Sequence, residues 1–249
     1  MATLSSLYPD SRYTITPAAT ATNLTQLHIY NTGTSTVNNG GQCCCWVVPA
    51  NVVWAKFEIW GGGGSGSGSC CCQQPLTSGG SSPYMRKTTR VVPGQFYNIC
   101  AGGSTCCISQ CLGVAGFPSF VCGGITYPVT SCSSGGCMGN SQCFMGYGDC
   151  RACGTCSTGT TAGCDFMLCG VTGASHQTSC GFDSWHYSPQ STYIGGGALI
   201  SKDYCLSMHG TCDGFATFPG GGGKSAIATD GGTWCGGAGA GGLVIITYR

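Results

Sequence analysis

The chain has 249 residues, of which 45 are glycine and 23 cysteine, while only 7% are charged and the net charge is +1. Nine basic residues against eight acidic ones leave no electrostatic footprint for DNA or RNA, and no apolar run is long enough to span a membrane as a helix. Glycine does not recur at every third position, which excludes collagen, and the near absence of helix-forming segments excludes a Rossmann or TIM-barrel enzyme. What remains is a β scaffold ordered by cross-links as well as by an apolar core.

Met1 to Asp10 shows neither a basic n-region nor an apolar h-region, so it does not read as a secretory signal. Many cysteines without such a signal fit excision from a precursor, or assembly in a cytosol followed by release into an oxidising medium, as for a virion protein. Residues 1–42 contain no cysteine and are rich in Thr, Ala, Ser and Asn. Leu27-His28-Ile29-Tyr30 alternates like a strand before the turn signal Asn31-Thr32-Gly33. This region reads as an arm or a small β element for attachment, and 43–249 as a Gly/Cys-rich β domain.

Two cysteine triplets follow, Cys43-Cys44-Cys45 and Cys70-Cys71-Cys72. On a strand the outer members of a triplet face one way and the middle one the other. Sequence neighbours therefore cannot easily pair. All six are candidates for disulfides within the chain or between subunits. Because the total of 23 is odd, at least one thiol is free, metal-bound or bonded across a subunit boundary. Most of the cysteines are expected to be oxidised in the mature protein.

Residues 46–60 hold the clearest strand. Val53, Ala55, Phe57 and Ile59 fall on one side, and Trp54, Lys56, Glu58 and Trp60 on the other. A glycine tract from Gly61 ends it. Further strands are expected at Thr88–Val92, closed by the turn Pro93-Gly94, at Gln95–Cys100, and at Leu243–Tyr248 behind the glycine tract 236–242. Between about 104 and 235 no regular period persists, which predicts long loops pinned by disulfides. The fold class is all-β, a sandwich or jelly-roll-like core built from about 46–103 and 236–249, its first and last strands close together.

Four words in order carry a resemblance: Trp46-Val47-Val48-Pro49-Ala50-Asn51-Val52, then Ile59-Trp60-Gly61-Gly62-Gly63-Gly64, then Val91-Val92-Pro93-Gly94-Gln95-Phe96-Tyr97-Asn98-Ile99, and the close Gly241-Gly242-Leu243-Val244-Ile245-Ile246-Thr247-Tyr248. Together they resemble the glycine-rich domain of bacteriophage tail fibres and related virion proteins. The match covers both ends of 46–249 and leaves the middle unmatched; the abundance of cysteine departs from that family. The resemblance implies a tail-fibre or tail-tip component engaged in host attachment, often a homotrimer, joined to other virion proteins through its N-terminal arm and located on the virion. Its receptor would be a host surface glycan or a protein. A capsid cement or decoration protein is the alternative, and a metal-binding Cys-rich protein a third reading.

Chemistry-bearing patterns are sparse. Cys150-x-x-Cys153-x-x-Cys156 with Cys164 departs from the ferredoxin spacing and lacks the following proline, so disulfides in a dense loop explain it better than a cluster or zinc. Gly220-Gly221-Gly222-Gly223-Lys224-Ser225 has Phe218 where a phosphate loop needs glycine. His28, His176, His186 and His209 are the whole histidine supply, and none lies in a nucleophile elbow. No catalytic, cofactor or metal residue is assigned, and no enzyme activity is expected. Phe182, Trp185, His186 and Tyr187 form the densest aromatic-polar word outside the strands. They are candidates for receptor contact, against the plainer role of packing glycine loops.

Overall fold

The computed structural model describes residues 25–30, 41–66, 76–77, 79–105, 113–123, 131–133, 164–168, 170, 175–176, 216–223 and 236–249. They form strands and no helix: β1 Thr25–Tyr30, β2 Gln42–Val47, β3 Trp54–Trp60, β4 Leu76–Thr77, β5 Tyr84–Arg90, β6 Phe96–Ala101, β7 Ser119–Gly123, β8 Ser131–Ser133, β9 Phe166–Leu168, β10 Ser175–His176 and β11 Leu243–Tyr248. A five-stranded sheet has the order β1-β11-β3-β5-β9, and a four-stranded sheet the order β2-β6-β7-β8. The short β4 and β10 pair with each other. Every pairing is antiparallel.

The all-β fold expected from the sequence is thus present, with the first and last confident strands side by side. β11 lies against β3, with Val244 opposite Ile59 and Ile246 opposite Phe57. β1 completes this sheet beyond β11, with Leu27 opposite Ile246. The alternation in Leu27-His28-Ile29-Tyr30 is that of an edge strand, Leu27 and Ile29 turning into the core.

The two sheets face each other over one core. The four-stranded sheet contributes Cys44, Trp46, Tyr97, Ile99, Ala101 and Val121, and the five-stranded sheet Ala55, Phe57, Ile59, Met85, Val244, Ile246 and Tyr248. Trp46 stands at the centre, its ring 6.0 Å from Phe57, 5.8 Å from Tyr97 and 5.4 Å from Tyr248. Such rings bury large apolar areas, and their tilted and edge-on contacts add about 0.5–1.5 kcal/mol per pair.

Two expectations about β3 are corrected. Val53, expected in the core, is 45% exposed, because the strand begins one residue later and Val53 belongs to the incoming loop. Trp60, on the face expected to be mixed, is fully buried. It packs there with Tyr84 and Leu243 in a second apolar cluster on the outer side of the five-stranded sheet.

The glycine tracts are structural members and not simple turns. Segments 61–66, 79–83, 102–105, 113–118, 216–223 and 236–242 run beside one another outside the two sheets, with a single bridge residue at Gly236. Five of them continue β3, β5, β6, β7 and β11 beyond the same pole of the sandwich. Their hydrogen bonds step by three. Gly62 and Ser65 donate to Phe117 and Val114, and Gly63 and Gly66 to Ala240 and Gly237. Gly79 and Ser82 likewise donate to Gly223 and Gly220. A repeat of three residues is the turn of a polyproline II helix, whose amides point outward in three directions. Consecutive residues therefore address different neighbours, and backbone replaces the water that normally solvates such a helix. The result is a backbone lattice.

Close packing explains the composition. A Cβ on Gly63 would fall on the Gly221 carbonyl oxygen, one on Gly116 on that of Gly62, and one on Gly222 on that of Gly79. Small side chains enter, some of them bonded: Ser65 Oγ accepts from the Val114 amide at 2.7 Å, and Thr105 Oγ1 from Gly239 at 2.7 Å, whereas the buried hydroxyls of Ser82 and Thr217 have no hydrogen-bond partner among the described residues. Ser119 ties lattice to sandwich, its hydroxyl accepting from the Gly102 amide at 2.8 Å and donating to the Trp60 carbonyl at 2.6 Å.

Candidate functional site

The outer face of the four-stranded sheet collects the first cysteine triplet. The alternation expected on an extended strand is seen: Cys43 and Cys45 turn outward and Cys44 inward. In β2–β6 register Cys43 opposes Cys100, and the two form a disulfide with an S–S distance of 2.02 Å. One row along, Cys45 opposes Asn98, which opposes Cys122 on β7. Cys45 and Cys122 are thiols, and Cys45 Sγ donates to Asn98 Oδ1 at 3.2 Å. Cys44 makes no disulfide and serves as a small core residue beside Trp46. Burial, aided by the neighbouring Cys45, pushes its thiol from an ordinary 9.0 up to about 11.

Cys70, Cys71 and Cys72 lie outside the described residues, as do Phe182, Trp185, His186 and Tyr187. Of the cysteine run considered for a cluster, Cys164 alone is described; it is a half-buried thiol packed against the core. Among the described residues no group of three or more His, Cys, Asp or Glu side chains is placed to hold a metal ion. Three amides of the phosphate-loop-like Gly220–Gly223 tract are committed elsewhere. Gly220 donates to Gly241, Gly221 to Thr217, and Gly223 to Gly64. They are therefore not free to cradle a phosphate.

The outer face of the five-stranded sheet carries what sequence reading left unassigned. Near the lattice it is apolar: Trp60, Tyr84 and Leu243 are buried there with Tyr30, Leu168 and Ile245 packed against them. Phe218 lies edge-on to Tyr30 at 6.0 Å. Away from the lattice the face turns polar. Glu58 accepts from the Tyr84 hydroxyl at 2.8 Å and pairs with Lys56 at 2.7 Å. Arg86, Thr88 and Arg90 project from β5 as exposed side chains. Arg86 lies 5.2 Å from the ring centroid of its cross-strand neighbour Phe166. Arg90 is the cross-strand neighbour of Trp54, which is 47% exposed. Asp165 accepts from the Thr88 amide at 2.5 Å. The mixed pattern Trp54, Lys56, Glu58 was the legible signal for this face; the alternation across Tyr84–Arg90 was the one passed over.

The model of a family described as a glycine-rich domain matches residues 34–249. The chain belongs to that family. No curated protein matches it.

Proposed function

We propose that this chain is a structural protein of a bacteriophage virion, a tail-fibre or tail-tip component that engages the host surface by binding and not by catalysis. The order of its strand and glycine words, similar to that of tail-fibre domains, supports the reading. The observation that carries it is the lattice. Backbone hydrogen bonds and close contacts between glycine segments make a firm pole without a side-chain core. In this reading the chain is a homotrimer on the particle, held by other virion proteins on the N-terminal side of β1.

Immunogold labelling of intact particles with an antibody against the purified chain tests this, together with competition of particle adsorption by the purified chain. Label at the tail end and blocked adsorption are expected. Label over the capsid, without competition, would instead establish the cement reading.

A further inference from the structure

We infer that the outer face of β5 and its neighbours binds an acidic polysaccharide, with Arg86 and Arg90 taking its carboxylates and Phe166 and Trp54 its sugar rings. The inference rests on the host-attachment reading and names the ligand class and the surface that meets it.

Charge is the first ground. Among the described residues the cations are Lys56, Arg86, Lys87, Arg90 and Arg249, and the side-chain carboxylates are Glu58 and Asp165. Both carboxylates are engaged within the protein, Glu58 by Lys56 and Tyr84, Asp165 by the Thr88 amide. Arg86 and Arg90 form no ion pair with either. This face therefore carries two guanidinium groups available to an anion, and a guanidinium matches a carboxylate in two parallel hydrogen bonds.

Geometry is the second. Arg86 and Arg90 share one face of β5 four residues apart, about 14 Å along the strand. Each has an exposed ring as its cross-strand neighbour, Phe166 on one side of β5 and Trp54 on the other. Cation and flat apolar surface therefore recur together at two points. A sugar with an acidic substituent offers the complement, an apolar ring face beside a carboxylate. Nucleic acid fits less well. Its phosphates follow one another closely, with one charge per about 1.7 Å of duplex, whereas these cations are sparse and the whole chain carries only +1.

The full chain is titrated with polygalacturonate, with the same polymer fully methyl-esterified, and with a single-stranded DNA oligonucleotide, following tryptophan fluorescence and heat. Saturable binding to polygalacturonate is expected, weakened by salt, and at least about tenfold weaker for the neutral ester and for DNA. Arg86→Gln and Arg90→Gln are each expected to weaken it about tenfold, Trp54→Ala several-fold, and Arg90→Lys less than Arg90→Gln. Unchanged thermal midpoints would show that the variants are folded. Absence of binding, equal binding of the ester, tighter binding of DNA, or full binding by the folded glutamine variants would each overturn the assignment. Adsorption competition by the purified chain that survives Arg86→Gln and Arg90→Gln would sink this face while leaving the attachment reading standing. Polymer binding by a chain absent from particle tails would do the reverse.

Discussion

Gly63 donates its backbone amide to the carbonyl of Ala240 at 2.8 Å, and three residues on Gly66 does the same to Gly237 at 3.0 Å. The interval joins the segment leaving β3 to the one entering β11, whose strands are already paired in the five-stranded sheet. Lattice and sandwich are thus one hydrogen-bonded body, continued past the point where side chains stop filling the interior. Its tolerance of substitution differs accordingly between the two halves.

Gly63→Ala and Gly222→Ala each place a methyl group on a backbone oxygen, which cannot yield as a side-chain end can. Each is expected to cost about 3 kcal/mol or more. Gly94→Ala is the contrast: its φ is +80°, but nothing lies within 4 Å of an added Cβ, so about 1 kcal/mol of backbone strain is expected. Urea unfolding of the three variants checks the order, and equal losses at all three sites would contradict the lattice.

Ser119→Ala removes a buried hydroxyl that satisfies the Gly102 amide and the Trp60 carbonyl. Leaving two backbone groups unpartnered should cost about 2–3 kcal/mol. Amide hydrogen exchange is expected to rise at Gly102 while the amides of β1, at the far edge of the other sheet, keep their protection.

The Cys43–Cys100 bond closes a separation of 57 residues. By restriction of the unfolded chain alone such a loop corresponds to about 4 kcal/mol. The double variant Cys43→Ser/Cys100→Ser should lose stability of that order in denaturant titration. A loss below about 1 kcal/mol would mean that the β2–β6 register carries the pairing without help.

Thiol chemistry should separate neighbours in sequence. At pH 8, iodoacetamide is expected to modify the exposed Cys45 in the folded protein and to spare Cys44, which is buried and has its thiol pushed up to about 11. Peptide mapping after quenching reads both sites. Modification of Cys44 at the rate of Cys45 would place it outside the core.

Alkaline pH should destabilise the protein. Burial pushes the pKa of Cys44, Tyr97 and Tyr248 up in the folded state, so each keeps its proton to higher pH than in the unfolded chain. Above pH 9 the unfolded chain loses the Cys44 proton while the folded chain keeps it to about 11. The unfolded state then binds fewer protons, so stability falls as pH rises through this window, by up to about 3 kcal/mol from Cys44. The two tyrosines act in the same direction. Denaturation midpoints at pH 8, 9 and 10 should decline, with a smaller decline in Cys44→Ala.

The amino-acid sequence by itself determined β1, β3, β6 and β11 and much of their facing, but not β7, β8, β9 and β10, which lie in the 104–235 stretch expected to be loops and are too short to show a period. Period-two alternation assigned Ala55, Phe57 and Ile59 to one side of β3, because side chains on a strand must alternate. The same rule separated Cys44 from Cys43 and Cys45. The run Leu243–Tyr248 was legible because it is apolar, β-branched and bounded by glycine. Only the tertiary structure decided the rest. Val53 and Trp60 exchanged their expected environments because burial depends on where a strand starts and on what covers its outer face. Cys43 found Cys100 through β2–β6 register, which no spacing in the chain encodes. The glycine tracts hid their role for a deeper reason: a residue without a side chain has no hydrophobic period to read, and its meaning lies in how closely another backbone approaches it.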